Sequence, residues 1–230
     1  MTPRVVILSS PSGGGKTTIA QALLARRPDI GYSVSATTRP PRAGEKDGRA
    51  YHFLTREQFE RRRAAGEFLE WAVYAGELYG TLRSEVESVL RSGRHVLMDI
   101  EVNGTIQVRR VYPPPQSIAV FILPPSADVL VKRLRERKSE SPRALEERLR
   151  QAVVEVQRAM SEVAGVPTYD HWIINDVVET AVAEVGRIVG ENGQRKHGVD
   201  QVRIGAIIRG LTEEVDRIQG VDRIQGKEPE

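Results

Sequence analysis

The stretch Ser9-Ser10-Pro11-Ser12-Gly13-Gly14-Gly15-Lys16-Thr17-Thr18 constrains this chain most. It follows a short apolar run, Val5-Val6-Ile7-Leu8, and precedes a helical pattern, Ile19-Ala20-Gln21-Ala22-Leu23-Leu24. Strand, glycine loop and helix is the order that a phosphate-binding loop requires. Glycines let backbone N–H groups converge on an anion, and the helix adds partial positive charge at its N-terminus. Ser12, Gly13, Gly14, Gly15, Lys16, Thr17 and Thr18 are therefore the candidate ATP-phosphate residues. Lys16 reaches the terminal phosphates, and the Thr17 hydroxyl is a ligand for Mg²⁺. The usual spacing is G-x-x-x-x-G-K-[ST], and Ser10 stands at the first glycine. The alternative is a glycine-rich turn with a stray lysine, which does not call for a strand before it and a helix after it.

The rest of the chain repeats the β-then-α alternation of a parallel sheet. Residues 4–9, 95–101, 117–124 and 172–176 read as buried strands, and residues 16–27 and 177–189 as helices. Tyr32–Thr37 alternates and reads as one further strand. Residues 36–92 break the rhythm. Thr38-Arg39-Pro40-Pro41-Arg42 is a stiff basic loop, since its prolines exclude a helix. Such a loop suits a phosphate, and a solvated basic loop is the alternative. Tyr51–Leu54 and Phe68–Tyr74 read as short strands, Thr55 as the cap of a helix, and Glu77–Thr81 as a turn into a helix near Arg83–Arg91. The segment reads as an inserted substrate lobe.

Asp99 and Glu101 end an apolar strand, where ligands of α/β sheets gather. Capping of the next helix by Glu101 or Asn103 is the alternative. Residues 126–161 are charged and helical, broken near Lys138–Pro142, and read as a mobile helical lid or as a salt-bridged solvent face. Residues 191–230 differ. Positions 193–198 look like a linker, 202–218 have helical periodicity, and VDRIQG occurs twice, at 215–220 and 221–226. That end reads as disordered or as a packing extension.

Across 230 residues the net charge is only +3, which asks for no nucleic acid, and there is no cysteine for a disulfide or a thiolate metal site. No apolar run approaches the ~20 residues of a membrane span, and no signal-like segment precedes the first strand. The expectation is a cytoplasmic protein with no membrane partner and an open oligomeric state.

Together these motifs resemble the guanylate kinase family, a branch of the P-loop nucleoside monophosphate kinases. The resemblance spans about residues 4–190. It rests on SSPSGGGKTT, SVSATTRPPRAGEKDGRAYHF, GEFLEWAVYAGELYGT, LMDIEVNG, the arginines of 126–161, and IINDV. It implies an α/β fold: a P-loop NTPase-type parallel sheet flanked by helices, with an inserted mixed α+β GMP-binding lobe and a helical lid. The implied division is a kinase-like domain, 1–190, made of a core (1–35, 93–125, 162–190), a GMP lobe (36–92) and a lid (126–161). The extension 191–230 has no counterpart in the family pattern. The implied reaction is ATP + GMP giving ADP + GDP, with Mg²⁺.

The resemblance also implies roles for residues. Arg39, Arg42, Tyr51 and Tyr79 match the residues that hold the GMP phosphate. Glu70 matches the acid that reads guanine, with Ser35 and Thr81 as donors to O6. Asp99 and Glu101 match the acidic pair between the nucleotides, with Asp99 reaching Mg²⁺ through water. Arg133, Arg137 and Arg148 match lid arginines, Arg137 and Arg148 with Lys16 at the transferring phosphoryl. Asn175 matches a residue near the adenine. Ser10, Asn103 and Lys138 depart from the pattern, which has glycine, glutamine and glycine there. Two rivals remain: a non-catalytic peptide-binding scaffold, and a kinase for another nucleoside monophosphate.

Overall fold

The structure, a computed structural model, describes residues 2–74, 76–136, 142–191 and 201–225. Its centre is β1 (Val5–Ser9), a run of β-branched and aliphatic residues buried along its whole length. Strand β1 pairs in parallel with β7 (His95–Asp99) on one side and β8 (Ser117–Leu123) on the other. The edges are β2 (Ile30–Tyr32) and β11 (His171–Ile174), which completes an all-parallel order β11-β8-β1-β7-β2. Alternation along β1 feeds two cores. Val6 and Leu8 pack under α1 (Lys16–Arg26) and α7 (Val178–Gly190). Val5 and Ile7 share the other core with α3 (Arg83–Arg91), α4 (Val102–Val111), α5 (Ala127–Arg135) and α6 (Pro142–Ala159). A small hairpin, β9 (Glu162–Val163) and β10 (Val166–Pro167), follows α6.

A second, mixed sheet has the order β4-β3-β6-β5. Its members are β3 (Ser35–Thr37), β4 (His52–Phe53), β5 (Phe68–Tyr74) and β6 (Glu77–Leu82). Helix α2 (Arg56–Ala64) starts in a capping box: Thr55 Oγ1 accepts from the Gln58 amide at 3.1 Å, and Gln58 Oε1 accepts from the Thr55 amide at 2.9 Å. Phe59 then stacks on Phe68 at 4.2 Å to close the lobe's own core.

Two expectations are corrected. Tyr32–Thr37 is not one strand. Its first residue pairs with Leu97 in the central sheet, and Ser35–Thr37 pair with Thr81, Gly80 and Tyr79 in the lobe. The alternating pattern runs through both, because pleat periodicity does not encode which sheet a strand joins. Glu77–Thr81 is likewise a strand rather than a turn, since β3 and β5 supply hydrogen-bonding partners on both of its edges.

Helix α8 (Gln201–Gln225) is the last element among the described residues. Ile204, Ile207, Leu211 and Val215 recur at helical spacing and are buried in the same core as α5 and α6. Arg135 Nη2 donates to the buried Glu214 at 2.5 Å, and Gln219 Nε2 donates to Glu146 Oε1 at 2.8 Å. Thus α8 is packed against both α5 and α6. The stretch 193–198 lies outside the described residues. Ile207→Val removes one buried methyl and is expected to cost about 0.5–1.5 kcal/mol of unfolding free energy; a change near zero in a denaturant titration would mean that α8 does not pack here in solution. Among the described residues, no helix is long and apolar enough to cross a membrane.

Candidate active site

The loop between β1 and α1 is closed on itself. The Gly14 amide donates to Pro11 O at 2.9 Å, and Ser10 Oγ donates to the same oxygen at 3.0 Å. Serine at the first glycine position therefore adds a bond to the turn. Gly15 caps α1 at φ 94°, a left-handed conformation that a side chain resists, and a Cβ there would lie 2.1 Å from Asn175 Nδ2. Thr17 and Thr18 open to solvent on the first turn of α1, while Ser12, Gly13 and Lys16 are half-buried.

Asp99, at the end of β7, meets this loop. Lys16 Nζ lies 2.7 Å from Asp99 Oδ1 and donates to Ile100 O at 3.2 Å. Thr17 Oγ1 donates to Asp99 Oδ2 at 3.2 Å. Burial pulls the Lys16 pKa down, but the Asp99 carboxylate outweighs it and leaves the ammonium above its ordinary value. Thr17 and Asp99 thus present two hard oxygens side by side, a donor set that suits Mg²⁺ completed by water and phosphate. Among the described residues no cluster of three or more acids or histidines forms an all-protein metal cage.

Asn175 is buried beneath the loop. Its Nδ2 donates to Gly14 O at 2.8 Å. The resemblance placed this residue near the adenine; in the nucleotide-free chain its amide supports the loop backbone. Arg133 Nη2 donates to Asn175 O at 3.1 Å, and its Nη1 is buried with no partner among the described residues. Arg148 is half-buried on α6. Arg137, and with it Lys138, lies outside the described residues.

The lobe gathers a second set. Glu70 on β5 and Thr81 on β6 are both buried, and Thr81 Oγ1 donates to Glu70 Oε1 at 2.6 Å. Ser35 pairs with Thr81 in the sheet register. Burial pushes the Glu70 carboxyl up to about 7, against the pull of the Thr81 hydroxyl. Gly104 makes room for it: a Cβ there would lie 2.6 Å from Glu70 Oε2. Glu101 is at the N-cap of α4 without a side-chain cap bond. Burial raises its pKa as well, partly offset by Lys16.

Arg39, Tyr51 and Tyr79 come together in the same lobe. The Arg39 guanidinium is 5.5 Å from the Tyr51 ring centroid, and Tyr51 meets Tyr79 edge-on at 5.9 Å. Arg39 Nη2 donates to both Glu45 oxygens at 2.9 Å. Glu45 Oε2 also accepts from the Arg42 amide at 2.7 Å, while Arg42 itself is exposed. A carboxylate therefore holds the Arg39 fork.

Sequence reasoning missed three residues here. Glu45 follows Arg39 in the same loop, and its role as internal anion needs the folded turn. Gln107 pins the strand that carries Glu70, accepting from the Trp71 amide at 3.2 Å and donating to Trp71 O at 2.9 Å. Glu155 on α6 buries Oε2 without a hydrogen-bond partner among the described residues, and burial pushes its carboxyl up to about 7. Its spacing of seven from Arg148, which places both on one helix face, is the signal that could have found it.

The chain matches the family model described as "Guanylate kinase" over residues 2–192. It is 45% identical over 185 residues to a guanylate kinase of Symbiobacterium thermophilum, covering 80% of this chain and 83% of that one. It is 44% identical over 188 residues to one from Synechocystis sp., covering 82% and 94%. The crystal structure of guanylate kinase from Anaplasma phagocytophilum superposes with a TM-score of 0.65 at 29% identity, covering 93% of this chain and 95% of that one.

Proposed function

The chain belongs to the guanylate kinase family, and on that premise we propose how its own residues phosphorylate GMP. It is a nucleoside monophosphate kinase that transfers phosphate from ATP to GMP. One observation supports the site assignment above others. Lys16 Nζ donates to Ile100 O, and Glu70 lies against Gly104 four residues on, so the glycine loop and the buried acid meet the same β7–α4 junction.

The loop amides of residues 12–18 and Lys16 take the ATP phosphates. Lys16 would exchange its Asp99 contact for phosphate. Thr17 and Asp99 are the residues that would hold Mg²⁺, which supplies charge neutralisation and a fixed geometry for the β- and γ-phosphates. Arg39, Arg42, Tyr51 and Tyr79 take the GMP phosphate, which displaces Glu45 from the Arg39 fork. Guanine presents N1–H and N2–H₂ side by side, and the Glu70 carboxylate accepts both; adenine offers no such pair. Ser35, paired with Thr81 in the sheet, is the hydroxyl donor to O6, while the single Thr81 O–H is committed to Glu70.

A GMP phosphate oxygen then attacks the γ-phosphorus in line. The new P–O bond forms as the bond to the β,γ-bridging oxygen breaks, and ADP leaves with that electron pair. The nucleophile is already anionic, so no general base is needed. Lys16 and Arg148 stabilise the charge spread over the γ-oxygens, and Arg133 adds positive charge beside the loop. A cleft closed over both nucleotides excludes water, which would otherwise hydrolyse ATP.

A coupled ADP-release assay with ATP, Mg²⁺ and each of GMP, AMP, CMP and UMP tests the reading. Turnover with GMP at least about 10²-fold above the others in kcat/KM is expected for a site that hydrogen-bonds the base edge. Comparable turnover with AMP would remove Glu70 as the base reader. GMP binding without turnover would favour the scaffold.

A further inference from the structure

We propose that Gly104 is a specificity-determining residue of the GMP site: its missing side chain leaves the place in which Glu70 Oε2 stands, where that oxygen reads the N2 amino group of guanine. The inference rests on reading Glu70 as the acceptor of the guanine edge.

Gly104 is the third residue of α4 and is buried. Neither the helix nor the backbone calls for glycine there. Glycine is a poor residue within a helix, and the φ of Gly104 is not among the left-handed ones. The side chain opposite does call for it. A Cβ on residue 104 would lie 2.6 Å from Glu70 Oε2 and 3.2 Å from Glu70 Cδ, well inside van der Waals contact. The next atom, Ile100 Cδ1 at 3.4 Å, is in ordinary contact.

Helix and strand are fastened together at this point. Gln107, one turn on along the same face of α4, accepts from the Trp71 amide at 3.2 Å and donates to Trp71 O at 2.9 Å. Strand β5 is the outer strand of its sheet, so these bonds hold its free edge beside Glu70. Leu69 of β5 shares one core with Val102 and Val108 of α4. A side chain at 104 therefore displaces the Glu70 carboxyl rather than the backbone.

The order of partners along the base edge separates the two oxygens. O6, N1–H and N2–H₂ follow one another on guanine. Ser35 and Thr81 are neighbours in the sheet, and Thr81 Oγ1 donates to Glu70 Oε1 at 2.6 Å. O6 then lies on the Ser35 side, Oε1 meets N1–H, and Oε2 on the Gly104 side meets N2–H₂. Oε1 can serve both Thr81 and N1–H, since each carboxylate oxygen has two lone pairs.

The test is steady-state kinetics on the full chain with GMP and with inosine monophosphate, which keeps O6 and N1–H and lacks the N2 amino group. Gly104→Ala is expected to lower the preference in kcat/KM for GMP over inosine monophosphate by about tenfold or more, the size of one hydrogen bond to a charged group, with KM for ATP unchanged. Glu70→Asp withdraws the carboxyl by one methylene and makes room for the methyl. In that background Gly104→Ala should change kcat/KM for GMP by less than about twofold. Equal losses from alanine in the two backgrounds overturn the proposal. An early-melting Gly104→Ala that keeps the wild-type preference also overturns it, because the contact then serves the fold alone; the preference is a ratio and does not depend on the folded fraction. Glu70→Gln separates the two readings. A preference untouched by Glu70→Gln sinks Glu70 as the base reader, whereas a preference lost in Glu70→Gln and kept in Gly104→Ala sinks only this inference.

Discussion

Lys16→Ala is expected to lower kcat by about 10²–10³, the cost of removing one preorganised charge from a phosphoryl-transfer site. The geometry explains why no neighbour substitutes. Lys16 Nζ is held within 2.7 Å of Asp99 and 3.2 Å of Ile100 O, so the ammonium is positioned before any nucleotide arrives. Arg133 is tied to Asn175 O below the loop and cannot swing into the same place. The substitution also leaves Asp99 facing the donor phosphates with one counter-charge fewer, which adds repulsion to the lost attraction. Binding of ATP should weaken less than turnover, because the lysine's advantage grows as charge spreads over the γ-oxygens. The side chain is one-fifth exposed and helix α1 keeps its glycine cap, so the melting temperature should move little. Near-normal turnover from a folded Lys16→Ala would place the ATP phosphates elsewhere.

Glu70→Gln is expected to raise KM for GMP about 10–100-fold, with KM for ATP nearly unchanged. A carboxamide has one acceptor where guanine needs two, and its NH₂ opposes a guanine donor. Thr81 loses nothing if the amide oxygen faces it, so the damage falls on the base. The same residue gives a pH signature. Its carboxyl is pushed up to about 7 by burial, whereas guanine binds the ionised form. GMP binding therefore expels a proton below that pH. KM for GMP should be flat above about 7 and rise as pH falls, approaching tenfold per unit in the wild type. The GMP phosphate has its own pKa near ~6 and adds a second limb below it. Glu70→Gln should keep that phosphate limb and lose the one near 7. An unchanged profile in the variant would take base reading away from Glu70.

The family model ends at residue 192, and helix α8 beyond it is held by the apolar stripe from Ile204 to Val215 and by the Arg135–Glu214 pair.

Much of this protein is legible along the chain. The order of strand, glycine loop, lysine and helix predicted the β1–loop–α1 unit that the structure shows, because loop and helix N-terminus are contiguous and their chemistry is local. Thr55 marked the start of α2 for the same reason. The residue types of the lobe, Arg39, Tyr51, Glu70, Tyr79 and Thr81, were readable through resemblance. Tertiary structure alone decided which partners those groups meet. Thr17 finds Asp99 across 82 positions, and Asn175 finds Gly14 across 161. The single alternating run Tyr32–Thr37 divides between two sheets, since the edges it pairs with belong to β7 and β6. Glu155 Oε2 is buried because α6 is packed against the core. Periodicity and caps depend on neighbours within a turn or two, whereas pairing, burial and the pKa shifts of Glu70 and Glu155 depend on what packing brings from far along the chain.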